Sequence, residues 1–98
     1  MFGSVFRLRP LPGHEQAMVE LMERWNRERR PKVDGFVAAY VYRSEARSGD
    51  YVNAVVFKDR DSYMKNADDP EQDRWYREFR AHLASDPEWE DGEVVYAM

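Results

Sequence analysis

Two runs of hydrophobic residues in the middle of the chain predict a β-hairpin. Residues 35–42 (GFVAAYVY) and 50–57 (DYVNAVVF) are rich in β-branched and aromatic side chains, and a polar segment, residues 43–49, joins them. Neither run alternates cleanly between apolar and polar positions, as a strand with one face in water would. We therefore expect both faces of these strands to be buried.

Two further strands are predicted, one at each end of the chain. In residues 2–9, Phe2, Ser4, Phe6 and Leu8 fall on one side, and Pro10 ends the strand. Residues 93–98 (EVVYAM) predict a last strand. Residues 85–89 (SDPEW) place a proline directly after a capping aspartate, which predicts a single helical turn before that strand.

Hydrophobic residues at helical spacing predict two long helices and a short one. The first long helix covers residues 14–30, ends before Pro31, and buries Ala17, Met18, Leu21, Met22 and Trp25. The short helix covers residues 59–67, with Asp59 or Asp61 as its N-cap. The second long helix covers residues 70–84, with Asp69 as its cap, and its core-facing stripe is Gln72, Trp75, Tyr76, Phe79, His82 and Leu83.

The order of these elements predicts an α+β fold of the ferredoxin-like βαββαβ type, with one antiparallel four-stranded sheet. Right-handed crossovers place both connecting helices on the same side of the sheet. The other face stays uncovered, although the strands carry apolar side chains on both faces. An apolar face of that size is typical of an interface, so we expect a homodimer that forms through the sheet face.

Composition narrows the possible functions. The 98 residues are 43% hydrophobic, which suits one domain spanning residues 1–98 with a real core. A net charge of −4 makes nucleic acid a poor partner. The absence of cysteine excludes disulfides and thiolate chemistry. No apolar run approaches the roughly 20 residues of a membrane span, so we expect a soluble, cytoplasmic protein with no membrane partner.

Several residue types on the predicted elements allow chemistry, and each also has a structural explanation. His82 is either a general base or a hydrogen-bonded histidine at a helix end. Trp75, Tyr76 and Phe79 either line an aromatic pocket or fill the core. Asn53 interrupts an apolar strand, where it either fixes a register or binds a ligand through its amide.

The charged residues predict pairing and capping and do not predict a metal site. Arg7 and Arg9 share one face of the first strand, where they either bind an acidic ligand or pair with acids on neighbouring strands, such as Glu45 or Glu93. The acids of residues 68–73 are explained as helix caps and first-turn partners of the helix dipole. His14 and His82 are too far apart in sequence to form a metal motif.

Three segments make the chain resemble the dimeric α+β barrel superfamily, and within it the antibiotic biosynthesis monooxygenase-like family. They are residues 11–15 (LPGHE) after the first strand, residues 33–36 (VDGF) before the second, and residues 55–63 (VVFKDRDSY) after the hairpin. The family pattern has Pro-Gly before the first helix, Pro-Gly-Phe before the second strand, and an aromatic-x-acid-x-x-aromatic run. Asp34 stands where that pattern has proline.

The resemblance implies a cofactor-independent monooxygenase that binds a hydrophobic, aromatic small molecule between sheet and helices. Trp75 and Tyr76 would hold the ring, Asn66 would polarise an oxygen, and His82 would accept the proton. No cofactor is expected. The alternative is a non-enzymatic, dimeric ligand-binding or accessory protein of the same fold. Haem-degrading relatives are a poorer match, because the first strand has no asparagine and the gap from Trp75 to His82 is shorter than theirs.

Overall fold

A four-stranded antiparallel sheet forms one layer of the structure and the helices form the other. The computed structural model describes all 98 residues. The elements are β1 (Phe2–Leu8), α1 (Glu15–Arg24), β2 (Phe36–Arg43), β3 (Tyr51–Phe57), α2 (Arg60–Ala67), α3 (Pro70–Arg80) and β4 (Glu88–Glu93). The strands lie in the order β2-β3-β1-β4. This is the predicted ferredoxin-like α+β fold, and the predicted hairpin is its β2–β3 pair.

The hydrophobic core lies between the sheet and the two longer helices. The strands contribute Phe6, Leu8 and Tyr51, and the helical segments contribute Met18, Leu21, Phe79 and Leu83. All seven side chains are buried, and Met22, Val55 and Trp75 pack against them. The centres of both predicted helical stripes are therefore confirmed. No helix in the fold combines the length and the apolar character that crossing a bilayer requires.

The first helix changes its winding where it approaches β2. After α1, a π-helical turn covers Trp25–Arg29 and a 3₁₀ turn covers Arg30–Lys32. Pro31 sits at the start of the 3₁₀ turn, where its missing N–H costs no hydrogen bond. Helical conformation thus continues to Lys32, two residues past the predicted end. The wider π turn brings Trp25 and Arg29 onto the same acceptor, Gln72.

The last strand lies earlier than the sequence pattern predicts. β4 is formed by Glu88–Glu93, so the predicted turn at residues 85–89 and the predicted strand at residues 93–98 are both wrong. Pairing with β1 overrides the local preference: Trp89 stands opposite Phe6, and their ring centroids are 4.0 Å apart. Ser4 Oγ also donates to the backbone oxygen of Glu90. Residues 95–98 have no regular structure.

The third helix ends four residues earlier than predicted because the following turn binds the chain after β1. α3 ends at Arg80. The backbone N–H of Leu11 then donates to the oxygen of His82, and that of Ala84 donates to the oxygen of Arg9. The caps behave as predicted: Asp59 accepts from the N–H of Ser62, and Asp69 accepts from the N–H of Glu71.

The sheet face turned away from the helices is apolar over β2 and β3 and at Val5 of β1. We call it the open face. A β-bulge after Phe36 separates that ring from Ala38, Tyr40 and Tyr42, which point to the open face. Two rows of paired residues cross this face, Tyr42–Val52–Arg7–Glu88 and Tyr40–Ala54–Val5–Glu90. Val5 is 48% exposed and Tyr40 is 62% exposed, so helices of this chain cover only one face, as predicted.

Candidate functional site

The helix-facing side of β2 is only partly covered by helix. At its start, the ring of Phe36 lies 5.2 Å from that of Trp25, and the guanidinium of Arg30 lies 4.7 Å above it. Further along, Ala39 and Val41 are exposed on the same side. We call Ala39 and Val41, together with their neighbour Asn53 on β3, the β2 shelf. The shelf is an apolar surface beside the end of the first helix.

Asn53 provides the polar group of the β2 shelf. It lies in the helix-facing row Val41–Asn53–Phe6–Trp89, which crosses all four strands. Its amide oxygen Oδ1 is fully buried and has no hydrogen-bond partner. The previous helix-facing residue on β3, Tyr51, differs in this respect, because its hydroxyl donates to the carboxylate of Glu15.

A hydrogen-bond network joins the π turn to α2 and α3. Gln72 Oε1 accepts from the indole N–H of Trp25 at 2.9 Å and from Nε of Arg29 at 3.0 Å. Arg29 also donates to Oδ1 of Asn66 at 2.8 Å and forms a salt bridge with Asp69. The cap bond from Glu71 and the Arg29 guanidinium lower the pKa of the Asp69 carboxyl. Because arginine only donates, the Asn66 oxygen is occupied and its NH₂ group remains available.

The two adjacent aromatic residues of α3 face different neighbours. Trp75 stacks on Phe79, with ring centroids 5.1 Å apart, and its indole N–H donates to the backbone oxygen of Leu21 at 3.3 Å. Tyr76 lies 6.2 Å from Trp89 of β4. Burial, with a further contribution from the Asp86 carboxylate, raises the pKa of the Tyr76 hydroxyl. Trp75 therefore belongs to the α1 side of α3 and Tyr76 to the β4 side.

His82 lies just beyond the end of α3 and is hydrogen-bonded to another histidine. Its Nδ1 is 3.0 Å from Nδ1 of His14, the residue that precedes α1. His82 also borders an open groove of about 450 Å³ between α1 and α3. The groove also contacts Leu21, the residue that accepts from Trp75, which places Trp75 and His82 on the same flank. Most of its lining is charged: Glu20, Glu23, Arg24, Arg27 and Glu78.

The structure brings only some of the predicted site residues together. Asn66 and Trp75 are linked through the chain of contacts Arg29, Gln72 and Trp25. His82 lies two turns further along, and Tyr76 faces β4. Arg29 was not among the predicted site residues. The spacing of four residues from Trp25 to Arg29, on the edge of the buried stripe, was the available signal.

The arginines of the first strand pair with a residue that the sequence analysis did not select. Arg9 Nε lies 2.6 Å from Oδ1 of Asp50, and a nitrogen of Arg7 lies 3.9 Å from Oδ2. The predicted pairing with an acid is therefore confirmed, but the acid is Asp50 and not Glu45 or Glu93. The bond from Arg9, opposed by burial, lowers the pKa of the Asp50 carboxyl. This pairing fixes the start of β3 against the end of β1. No three metal-ligating side chains converge on one point.

These features define an α+β protein with a ferredoxin-like sheet and helices on one face. Trp25 and Trp75 form an aromatic cluster where the helices meet the sheet. The model of the antibiotic biosynthesis monooxygenase family matches residues 1–87. The chain therefore belongs to this family, which confirms the resemblance found in its sequence. No curated protein gives a match.

Solved structures of low sequence identity share the fold. SnoaB, a cofactor-independent oxygenase from Streptomyces nogalater, is 19% identical with a TM-score of 0.79, and the match covers 99% of this chain and 95% of that one. A crystal structure of an antibiotic biosynthesis monooxygenase is 14% identical, with a TM-score of 0.77 and coverage of 98% and 100%. A conserved protein from Methanosarcina mazei Go1 is 15% identical, with a TM-score of 0.79 and coverage of 93% and 89%. At these identities the likeness concerns the fold alone.

Proposed function

We propose that this protein is a homodimer that binds a hydrophobic, aromatic small molecule between its helices and its sheet, and oxygenates it without a cofactor. The observation that carries the proposal is the β2 shelf. An apolar surface on the helix side of the sheet stays exposed beside the aromatic cluster of Trp25 and Trp75. Family membership and the similarity to the oxygenase SnoaB support the same activity.

The chemistry requires a base, a hydrogen-bond donor and molecular oxygen. A base removes a proton from an activated CH₂ group of the substrate, and the resulting carbanion adds O₂ to form a peroxide. Loss of water from the protonated peroxide leaves a carbonyl group. One oxygen atom thus enters the product and the other leaves as water, and the electrons come from the two C–H bonds. No metal or flavin is needed for this balance.

Four residues carry the proposed roles. Trp75 holds the ring, and Asn66 donates its free NH₂ group to a substrate oxygen, which the bond from Arg29 favours. His82 accepts the proton. The resemblance assigns Tyr76 to the ring as well, but Tyr76 faces β4, at the opposite edge of the sheet from the β2 shelf, so its role needs a separate test with Tyr76→Phe.

Anaerobic binding followed by oxygen uptake tests the proposal. A panel of anthrones and naphthoquinols is titrated without O₂ by intrinsic fluorescence, and air is then admitted while O₂ consumption is measured. We expect binding, and uptake of one O₂ per substrate. His82→Ala should lower the turnover about a hundredfold or more, a loss typical of removing a general base. Arg74→Ala, on the exposed side of α3, serves as the matched control and should keep full turnover.

A non-enzymatic ligand-binding or accessory role is the second candidate. The observation that favours it is that the indole N–H groups of Trp25 and Trp75 are already bonded within the protein. Anaerobic binding with no O₂ consumption above the spontaneous rate would identify this role. A haem titration completes the comparison, and a Soret shift would instead indicate a haem protein.

The homodimer is proposed from the open face. Val5, Val52, Ala54 and Tyr40 form a continuous apolar surface at its centre. Exposed apolar surfaces of this kind mark interfaces, and two sheets packed face to face would bury it around a two-fold axis. The helices are not involved, so the β2 shelf of each subunit stays outside this interface.

A further inference from the structure

One buried polar group in this fold is left without a partner. The other buried polar side chains are bonded: Ser4 Oγ donates to the oxygen of Glu90, Ser62 Oγ donates to the oxygen of Asp59, and Asp50 binds Arg9. Only Asn53 Oδ1 is buried and unpaired. Native proteins satisfy almost all buried polar atoms, so an exception needs a specific explanation.

Asn53 is unfavourable for folding on two grounds. Asparagine is depleted in strands, and a buried acceptor without a donor costs about 1–3 kcal/mol. A valine or leucine would avoid both costs among the neighbours Phe6 and Val41. The proposed dimer cannot supply the missing donor, because Asn53 lies on the helix-facing side and the dimer would use the open face.

The position of Asn53 suggests what its oxygen binds. Val41, the next residue of the same row, is 40% exposed, so solvent reaches to within one strand spacing, about 4.8 Å, of the buried amide. A flat ligand that lies against Ala39 and Val41 would lie next to the Asn53 side chain, one strand away. Since a carbonyl oxygen only accepts, the ligand must bring a donor.

We propose that Asn53 is a specificity-determining residue whose Oδ1 accepts a hydrogen bond from a hydroxyl group of an aromatic ligand on the β2 shelf. This inference rests on the proposed function and names the group that the ligand carries. The ligand is then selected by its hydroxyl as well as by its ring, because an apolar analogue leaves the buried oxygen unpaired.

A pair of isosteric probes tests the role of Asn53. The full-length protein is titrated calorimetrically with 2-naphthol and with 2-methylnaphthalene, which replaces the hydroxyl with a methyl group. We expect 2-naphthol to bind about tenfold more tightly, the ratio that one net hydrogen bond to a buried acceptor gives. In Asn53→Val the two dissociation constants should lie within about twofold of each other. Asn53→Leu, which keeps the branched shape of the side chain, should behave in the same way.

Thermal unfolding provides a second, independent readout. Asn53→Val should raise the melting temperature, since it removes an unpaired buried acceptor. Ser4→Ala, which removes a paired buried hydroxyl from the same side of the sheet, should lower the melting temperature and keep the preference for 2-naphthol. A fall in the melting temperature of both Asn53 variants would mean that the oxygen is already satisfied, which overturns the inference.

The outcomes separate this inference from the proposed function. If neither probe binds the wild-type protein, both proposals fail. If both probes bind the wild-type protein equally, or if Asn53→Val still prefers 2-naphthol, ligand binding stands and only the role of Asn53 is wrong.

Discussion

His14 and His82 face each other across the ends of two helices, with their Nδ1 atoms 3.0 Å apart and their ring centroids 5.3 Å apart. One ring must donate this hydrogen bond and the other must accept it. The bond joins the start of α1 to the turn after α3 over a separation of 68 residues. It holds the two helix ends at the edge of the charged groove.

We expect the two histidines to contribute to stability as a pair. His14→Ala and His82→Ala should each reduce the free energy of unfolding, and the double variant should lose less than the sum, with a coupling of about 1 kcal/mol. Urea denaturation near pH 8 measures these values. Repeating the cycle with Gln16→Ala in place of His14→Ala should give additive losses, because Gln16 bonds Glu20. Additivity in the histidine cycle would contradict the bond.

The salt bridge between Arg9 and Asp50, at the start of β3, should make the free energy of unfolding depend on pH in the acidic range. The folded-state pKa of the Asp50 carboxyl is lowered by the hydrogen bond from Arg9. Its contribution is therefore present above the unfolded pKa of about 3.9, and it is lost as the pH falls through the lower folded value. Asp50→Asn should cost about 1.5–3 kcal/mol at pH 7.

The pH dependence itself checks this assignment. The difference in unfolding free energy between wild type and Asp50→Asn should shrink as the pH is lowered from 5 to 2. Asp73→Asn, which breaks the exposed pair with Arg77, should cost about 0–1 kcal/mol at pH 7. If the difference in unfolding free energy between wild type and Asp50→Asn stays constant down to pH 2, Asp50 is excluded as the titrating group.

Two glycines with the same backbone conformation should respond differently to alanine. Gly35 has φ +79° and Gly13 has φ +83°, both in the left-handed region. A Cβ at Gly35 would lie 2.6 Å from Cβ of Ser62, whereas a Cβ at Gly13 meets nothing within 4 Å. Gly13→Ala should lose about 1 kcal/mol, and Gly35→Ala at least about 2 kcal/mol, in urea denaturation. Equal losses would show that the first turn of α2, which contains Ser62, moves to make room for the added Cβ.

The dimer should depend on the open face and not on exposed apolar surface in general. Val5 and Val19 are equally exposed, at 48% and 49%, but Val5 is on the open face and Val19 is on α1. Val5→Asp should yield a monomer in analytical ultracentrifugation, because it would bury a carboxylate without a partner in the proposed interface. Val19→Asp should leave a dimer. A wild-type chain that sediments as a monomer at high concentration would overturn the dimer proposal.

The hydrogen-bond network that joins Trp25 to Gln72 and Asn66 should depend on Arg29. Arg29→Met removes the donor to Gln72 and Asn66 and leaves Asp69 unpaired, so we expect a loss of about 1–3 kcal/mol and a shift in tryptophan emission. Arg27→Met, on the exposed side of the same turn, should change neither. Unchanged emission in Arg29→Met would show that the network does not orient Trp25.

The local sequence pattern correctly predicted those elements that are determined by their own residues and not by a distant partner. The hairpin, the cap at Asp59 and the stripe from Met18 to Leu21 depend on periodicity and capping chemistry, which a sequence displays directly. β4 could not be predicted in this way. Its sequence, EWEDGE, has no strand signature, and it is a strand because β1 offers it a partner and Phe6 offers Trp89 a contact.

The candidate site was less accessible to sequence reasoning for a related reason. Asn66, Trp75 and His82 were selected by residue type and family resemblance. The residues that bond two of them, Arg29 and His14, come from distant parts of the chain. Their contacts depend on the π turn and on the turn after α3, and neither has a local sequence signal that we recognise.

The exposure of β2 on both of its faces has a consequence for biosynthesis. β2 is also an edge strand, so its outer backbone N–H and C=O groups have no partner strand. The outer edge of β2 therefore offers a ready template for pairing with other chains, and a dimer formed through the open face would leave this edge uncovered. We expect overexpression at high temperature to favour insoluble material.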